Sequence, residues 1–299
     1  IAHRSVNVHR RSSMAKSSLG IWVAGARPRT LPAAVAPVLV ATALASQDFN
    51  AATAALALVV SLSLQIGVNY ANDYSDVIRG TDNDRVGPLR ITAGGLATAA
   101  QVRNAALISF AVAACAGLAL AITTSWWLIA VGAISIAAAW GYTGGKNPYG
   151  YMGLGEIFVF IFFGLVATVG TFYVQAEEIT GQSILAGTIV GSLACAILVI
   201  NNIRDRAKDA VVGKRTMAVR IGDRRSRAFY TFLVTVPYLL AAGFGTPWVA
   251  LTLLTLPMTI SILKPLWSGA EGAGLIPLLG KTGKLQMVFC LALSLALII

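Results

Sequence analysis

Charge is scarce in this chain. Only 12% of its 299 residues are Asp, Glu, Lys or Arg, whereas 57% are hydrophobic. A soluble domain is roughly one quarter charged, so the polar complement is too small to coat a water-facing globule. A polytopic membrane protein is the class that remains. Histidine is almost missing. His3 and His9 both lie in a polar N-terminal stretch, which argues against a histidine-based catalytic site. The three cysteines, Cys115, Cys195 and Cys290, each sit inside an apolar run without CxxC spacing. They read as small apolar helix residues, not as a zinc site or a disulfide framework. A P-loop is missing too. Gly280-Lys281-Thr282 ends like one, but Leu275 occupies the position of its first glycine.

What is abundant is apolar sequence. Crossing a hydrocarbon core takes about 20 residues of helix. Candidate runs are 30–47, 51–70, 104–123, 126–142, 155–174, 183–201, 228–244, 247–264 and 284–299. They predict an all-α, polytopic membrane bundle of nine transmembrane helices, a single domain over 21–299. Pro257 predicts a kink in the eighth run. Residues 1–20 are polar and basic and lack the apolar core of a secretory signal. This tail is expected to be disordered or to lie on anionic lipid, with Met14 a candidate start.

The basic residues test that map. Alternate loops put 1–29, 71–103, 143–154, 202–227 and 265–283 on one side. All 23 Lys and Arg residues fall on that side or at its border, and none on the other. The positive-inside rule makes that side cytoplasmic, N-terminus included, in the plasma membrane. A missed or invented span would have scattered the later basic loops. The net charge of +11 therefore reflects topology, and nucleic acid is not an expected partner.

Nine of the 12 acidic residues share the basic side, and six of those form two short segments. Asn69, Asn72, Asp73, Asp76, Asp82 and Asp84 follow the second run; Asn201, Asn202, Asp205 and Asp209 follow the sixth. In a continued helix Asn72 and Asp76 share a face, as do Asn69 and Asp73, and Asn201, Asp205 and Asp209. Clustered carboxylates resist joint ionisation unless a cation offsets them. Magnesium takes hard oxygen ligands, commonly one or two carboxylates plus substrate phosphates. Arg79, Arg85, Arg90, Arg204, Lys208, Lys214 and Arg215 are interleaved with the acids. Such a mixture suits a metal–diphosphate pair, the acids holding metal and the bases holding phosphate oxygens. A mixed-charge loop is more commonly a solvated face. Against that, Asn-x-x-x-Asp occurs at both 72–76 and 201–205, each after the second helix of a four-helix block. This suggests a duplication whose copies face one cavity.

The motifs ARPRTLP (26–32), GVNYANDYSD (67–76), RGTDNDRVGPLR (79–90), YTGG (142–145), YGYMGLGE (149–156), NNIRDRAKD (201–209) and GKRTMAVRIG (213–222) carry a resemblance. From about residue 20 onward the chain resembles the UbiA-type intramembrane prenyltransferases, in the branch that acts on naphthoates. The first family motif, Asn-x-x-x-Asp-x-x-x-Asp, is matched at Asn72 and Asp76, but Gly80 holds its last position and Asp82 and Asp84 lie just beyond. The second, Asp-x-x-x-Asp, is matched at Asp205 and Asp209.

The resemblance implies a nine-helix fold, Mg2+, and metal ligands among Asn72, Asp76, Asp82, Asp84, Asp205 and Asp209. It implies catalytic roles for Asn72, Asp73, Asp76, Asp205 and Asp209. Substrate contacts are expected from Asn69, Arg79, Arg90, Asn202, Arg204, Lys214 and Arg215, with Tyr142, Lys146 and Glu156 toward the aromatic acceptor. The implied reaction transfers a prenyl chain from polyprenyl diphosphate to 1,4-dihydroxy-2-naphthoate, giving demethylmenaquinone; haem is not an expected partner. Phe158, Phe160, Phe162 and Phe163 are candidates for lining a prenyl channel, although plain packing is the expectation for any one of them. The rivals are a secondary transporter and a transferase with another acceptor.

Overall fold

The computed structural model describes residues 18–80 and 90–299. The basic tail before residue 18 and the acids Asp82 and Asp84 lie outside the described residues. Among the described residues all regular structure is helical. After a short apolar helix, Ser18–Ala26, nine apolar helices of more than ten residues follow one another among the described residues: α1 (Pro32–Leu44), α2 (Ala51–Ile78), α3 (Ala99–Thr123), α4 (Trp127–Gly141), α5 (Gly155–Ala176), α6 (Gly181–Val211), α7 (Asp223–Phe244), α8 (Pro247–Trp267) and α9 (Gly272–Ile298). All but α1 and α4 are long and apolar enough to cross a membrane. At 13 and 15 residues, those two rise only about 20 and 22 Å, short of a hydrocarbon core of about 30 Å. Proline explains the shortness of α1. Pro28 opens a 3-10 turn and Pro32 begins the helix anew.

Local chemistry sets the other helix starts. The Asn50 side chain accepts the amides of Ala52 and Thr53 ahead of α2. Capping boxes start α3 at Thr98 with Gln101 and α6 at Thr180 with Ser183. In α8, 3-10 geometry over Pro247–Thr255 gives way to α-helix at Leu256. The change falls just before Pro257, which has no amide to donate and sits in the first turn of the α-helical part.

α6 is the central helix: 72% of its most apolar stretch is buried, against 17% for α2. It packs on α5, α7, α9 and α1. Its crossing with α5 is backbone to backbone. A Cβ on Gly164 would lie 2.6 Å from Gly191 Cα and 2.7 Å from the Gly187 carbonyl oxygen. Gly187 and Gly191 lie one turn apart and form a small-residue groove of the kind that lets membrane helices approach closely. α5 adopts π-helical geometry over Phe160–Val166 at this crossing. Large apolar side chains such as Ile108, Ile122, Leu239, Leu254 and Ile260 point outward. A surface of that kind is solvated by lipid, and the chain is an integral membrane protein.

At 28 and 31 residues, α2 and α6 run about 42 and 46 Å, well beyond one membrane crossing. The surplus turns carry the acidic segments. Asp76 and Asp209 each lie two residues before their helix ends.

Candidate active site

The end of α2 divides its polar residues between two tasks. Asn69 donates to the Ala26 carbonyl and to Thr30, at 2.9 and 3.0 Å. Asp73 accepts the backbone amides of Ile91 and Thr92, at 2.9 and 3.3 Å. Both therefore anchor neighbouring chain segments. Asn72 and Asp76, on the adjoining face, meet functional groups: Thr143 donates to Asn72 Oδ1 at 2.7 Å, and Arg90 Nη2 lies 2.6 Å from Asp76 Oδ2. The loop held by Asp73 is the one that delivers Arg90.

The end of α6 is arranged similarly. Arg204 grips Asp205 with two parallel bonds of 2.8 and 2.6 Å. Lys214 Nζ stands 3.4 Å from Asp209 Oδ1. Asn202 donates to Glu156 Oε1 at 2.9 Å, tying α6 to α5. All of these acids, with Arg90 and Arg204, are buried. Burying so many charges is costly, and even matched pairs recover little of that cost, so their presence here points to function more than to stability.

One side chain joins the two ends. Tyr151 donates to Asp76 Oδ1 at 3.0 Å, and its ring lies against both Arg79 and Lys214. Through Lys214 it reaches Asp209. The two acidic segments therefore meet on one side of the bundle, as their recurrence in the sequence implies. Their position at helix ends disfavours the transporter reading, in which ionisable groups sit on broken helices at mid-bilayer.

Below the cluster lie two cavities. The larger, about 280 Å³, runs along α2 from Asn72 to Ala57, between α3, α4 and α5. The 15 steps from Ala57 to Asn72 rise about 22 Å. Apart from Asn72, Asn69 and Gln65 near its head, its walls are nearly all apolar or aromatic. Tyr142, Tyr149, Phe158 and Phe162 follow one another in ring contact, Tyr149 and Phe158 stacked at 3.9 Å. Tyr149 donates to the Ala138 carbonyl, and burial pushes its phenol up, so it keeps its proton. The smaller cavity, about 170 Å³, is lined by Arg27, Thr30, Arg90 and Asn201, and shares Gln65, Asn72, Tyr142 and Phe163 with the larger.

The sequence-derived candidates therefore separate. Asn72, Arg90 and Tyr142 line the cavities; Asp76 is paired with Arg90, and Tyr151 links it to Arg79 and Lys214, with Asp209 behind Lys214. Asp73, expected to be catalytic, and Asn69, expected to bind substrate, have anchoring partners, because the helix turns them toward chain segments 91–92 and 26–30; Asn69 also lines the head of the larger cavity. Glu156 and Asn202, expected at the substrate, are bonded to each other and line neither cavity. Lys146 is exposed, and among the described residues it forms no ion pair; Arg215 is exposed too, and its backbone serves Tyr151. Phe158, Phe162 and Phe163 do line the larger cavity, whereas Phe160 packs against Gly191 of α6. Sequence reasoning missed Tyr151, Thr143, Gln65 and Arg27. Only the placement of Tyr151 in a Gly-rich loop hinted at a role.

Among the described residues no three His, Cys, Asp or Glu side chains cluster tightly enough to cage a metal alone. Magnesium does not require that, since water and substrate phosphate complete its shell. The donors at the mouth fit it: two carboxylates and an amide oxygen on short stems, each carboxylate beside a cation able to turn to phosphate. Arg204 Nη1 is buried and lacks a hydrogen-bond partner among the described residues, a donor suited to an anionic oxygen.

A helical membrane bundle with an acid-and-base cluster capping a greasy channel defines a class of enzymes acting on amphiphilic anions. The chain belongs to the UbiA prenyltransferase family, whose profile matches residues 34–271. It is 49% identical to a Mycobacterium tuberculosis 1,4-dihydroxy-2-naphthoate octaprenyltransferase, across 94% of this chain and 98% of that one. It is 36% identical to the Escherichia coli 1,4-dihydroxy-2-naphthoate octaprenyltransferase, over 88% and 90%. A solved UbiA homologue from Archaeoglobus fulgidus, bound to GPP and Mg2+, shares the fold with a TM-score of 0.63 at 14% identity, over 93% and 99%.

Proposed function

We propose that this chain transfers a polyprenyl group from polyprenyl diphosphate to 1,4-dihydroxy-2-naphthoate, with loss of carbon dioxide, giving the prenylated dihydroxynaphthalene, demethylmenaquinol, which a separate two-electron oxidation turns into demethylmenaquinone. The observation that carries the chemistry is the meeting of the α2 and α6 acid–base clusters over the polar end of an apolar channel. The names of the relatives carry the acceptor and support an octaprenyl donor. The charge partition supports nine crossings, with α1 and α4 as short spans, and an active site facing the cytoplasm.

In this reading the diphosphate sits at the mouth and the prenyl chain lies along the larger cavity. Asn72, Asp76, Asp205 and Asp209 would hold magnesium, with Asp82 or Asp84 a further candidate ligand, and the metal would supply positive charge to the departing diphosphate. Arg79, Arg90, Arg204 and Lys214 hold the phosphate oxygens, and their field favours charge separation at the allylic C–O bond. The electron pair leaves with the diphosphate. The faces of Tyr149, Phe158 and Phe162 offer negative potential to the allylic cation. The apolar walls keep out water that would quench it. The acceptor fits the smaller cavity, with Arg27 placed for its carboxylate and Tyr142 at the shared wall. Its electron-rich ring attacks the cation at the carboxylate-bearing carbon; the bond to the carboxylate then breaks, its electron pair restores the aromatic ring, and carbon dioxide departs, leaving both ring hydroxyls in place.

The test is an assay in nanodiscs with octaprenyl diphosphate, the dihydroxynaphthoate and Mg2+. Prenylated, decarboxylated product is expected. Turnover with 4-hydroxybenzoate but not with the naphthoate would overturn the acceptor assignment.

A further inference from the structure

We propose that Tyr151 is a positioning residue that sets the distance between the two acidic clusters. This rests on reading those clusters as one magnesium–diphosphate site. α2 and α6 make no extensive contact with each other. α1 and α5 pack on both and hold the two helices side by side, but the acidic ends lie in the last turns of α2 and α6, where the loop carrying Tyr151 links them directly.

Tyr151 belongs to neither helix. It closes the 3-10 turn Tyr149–Tyr151 in the loop between α4 and α5. Three of its parts make four attachments. Its hydroxyl donates to Asp76 at 3.0 Å. Its ring centroid lies 5.4 Å from the Arg79 guanidinium and 5.3 Å from Lys214 Nζ. Its carbonyl accepts the Arg215 amide at 2.9 Å. Arg79 and Asp76 belong to the end of α2; Lys214 and Arg215 follow α6, and Lys214 faces Asp209.

The loop that carries Tyr151 is itself held from both sides. Arg79 donates to the Gly145 carbonyl. At Gly153 a Cβ would lie 2.8 Å from Arg220 Nε and 3.0 Å from the Arg215 oxygen, and φ there is +77°. Only glycine lets the loop press this closely on the segment after α6. Tyr151 is thus a strut on a clamped support.

Magnesium demands near-ideal octahedral geometry, so small errors in the spacing of Asp76 and Asp209 weaken its binding. A phenol suits the task because it donates to a carboxylate at one end and offers a face to cations along its length.

The test compares Tyr151→Phe, which loses only the hydroxyl, with Tyr151→Leu, which loses the ring as well, in the purified full chain. Mn2+ binding is read by electron paramagnetic resonance with inorganic pyrophosphate present, beside Mg2+ activation curves for prenyl transfer. For Tyr151→Phe the expected result is about tenfold weaker Mn2+ binding and an equal rise in half-activating Mg2+, with the rate restored at saturating Mg2+. Tyr151→Leu should approach 100-fold. Unchanged Mn2+ affinity in Tyr151→Phe would overturn the proposal. So would a lower rate that no Mg2+ concentration restores, which marks plain structural damage. Asp76→Asn separates the two claims. If it binds Mn2+ like the parent, the metal reading itself fails; if it loses Mn2+ while Tyr151→Phe does not, only the strut fails.

Discussion

Asp73 and Asp76 lie three positions apart on α2 and face different partners: Asp73 takes the amides of Ile91 and Thr92, and Asp76 takes the guanidinium of Arg90. The first holds a loop in place so that the second finds its cation. The two carboxylates should therefore fail differently. Asp76→Asn should lower turnover by at least about 100-fold; its amide oxygen can still accept from Arg90 or Tyr151, so its melting temperature should fall less than that of Asp73→Ala. Asp73→Ala should lower stability, because two hydrogen bonds to a charged acceptor are lost at roughly 1.5–3 kcal/mol each. Its activity should fall less. Rates and melting curves of the two purified variants check this; equal loss of activity without loss of stability in Asp73→Ala would refute the division.

Metal removal gives a second expectation. Chelator should stop prenyl transfer completely, and added Mg2+ should restore it. Calcium, larger and less exacting in geometry, should restore it poorly. Activity that survives chelation would remove magnesium from the account.

The α5–α6 crossing supplies a third. Gly164→Ala places a methyl 2.6 Å from Gly191 Cα, where no side chain can yield. Overpacking of this kind costs about 1–3 kcal/mol, read as a lower thermal midpoint in detergent. Because the clash also shifts the π-helical wall that carries Phe162 and Phe163, activity should fall more steeply than stability. Gly280→Ala, in open space on α9, is the neutral control.

The channel gives a fourth. Phe162 lines the larger cavity and Phe160 packs on α6. Phe162→Ala should weaken the use of long prenyl diphosphates while leaving the fold intact. Phe160→Ala should act through stability, by about 3–5 kcal/mol if its packing is fully lost. Parallel denaturation and donor-saturation curves separate them; identical profiles would contradict the assignment.

Much of this was legible in the order of residues. The apolar runs and the one-sided placement of Lys and Arg anticipated the helices. The repeated Asn-x-x-x-Asp at 72–76 and 201–205 gave reason to look for the two acidic segments on one side of the bundle. Helical spacing grouped Asn69 with Asp73 and Asn72 with Asp76, and the structure keeps that grouping. What spacing does not convey is the partner each face meets. The partners of Asp73 lie 18 and 19 residues away, and that of Glu156 lies 46 away across two helices. Tyr151 was obscure for the same reason: Asp76 is 75 residues distant. The shortness of α1 follows from Pro28 and Pro32, which an average over apolar residues ignores. Gly164, Gly187 and Gly191 matter through a crossing that only folding creates.

The central claim is that Asp76 and Asp209 hold one magnesium–diphosphate between them. A structure of the chain with Mg2+ and a non-ionisable thiodiphosphate analogue tests it most directly. The account predicts magnesium about 2.0–2.1 Å from carboxylate oxygens of both segments, with the prenyl chain along the Phe158–Phe162 wall. A diphosphate held by one segment alone, or lodged away from Tyr151, would contradict it.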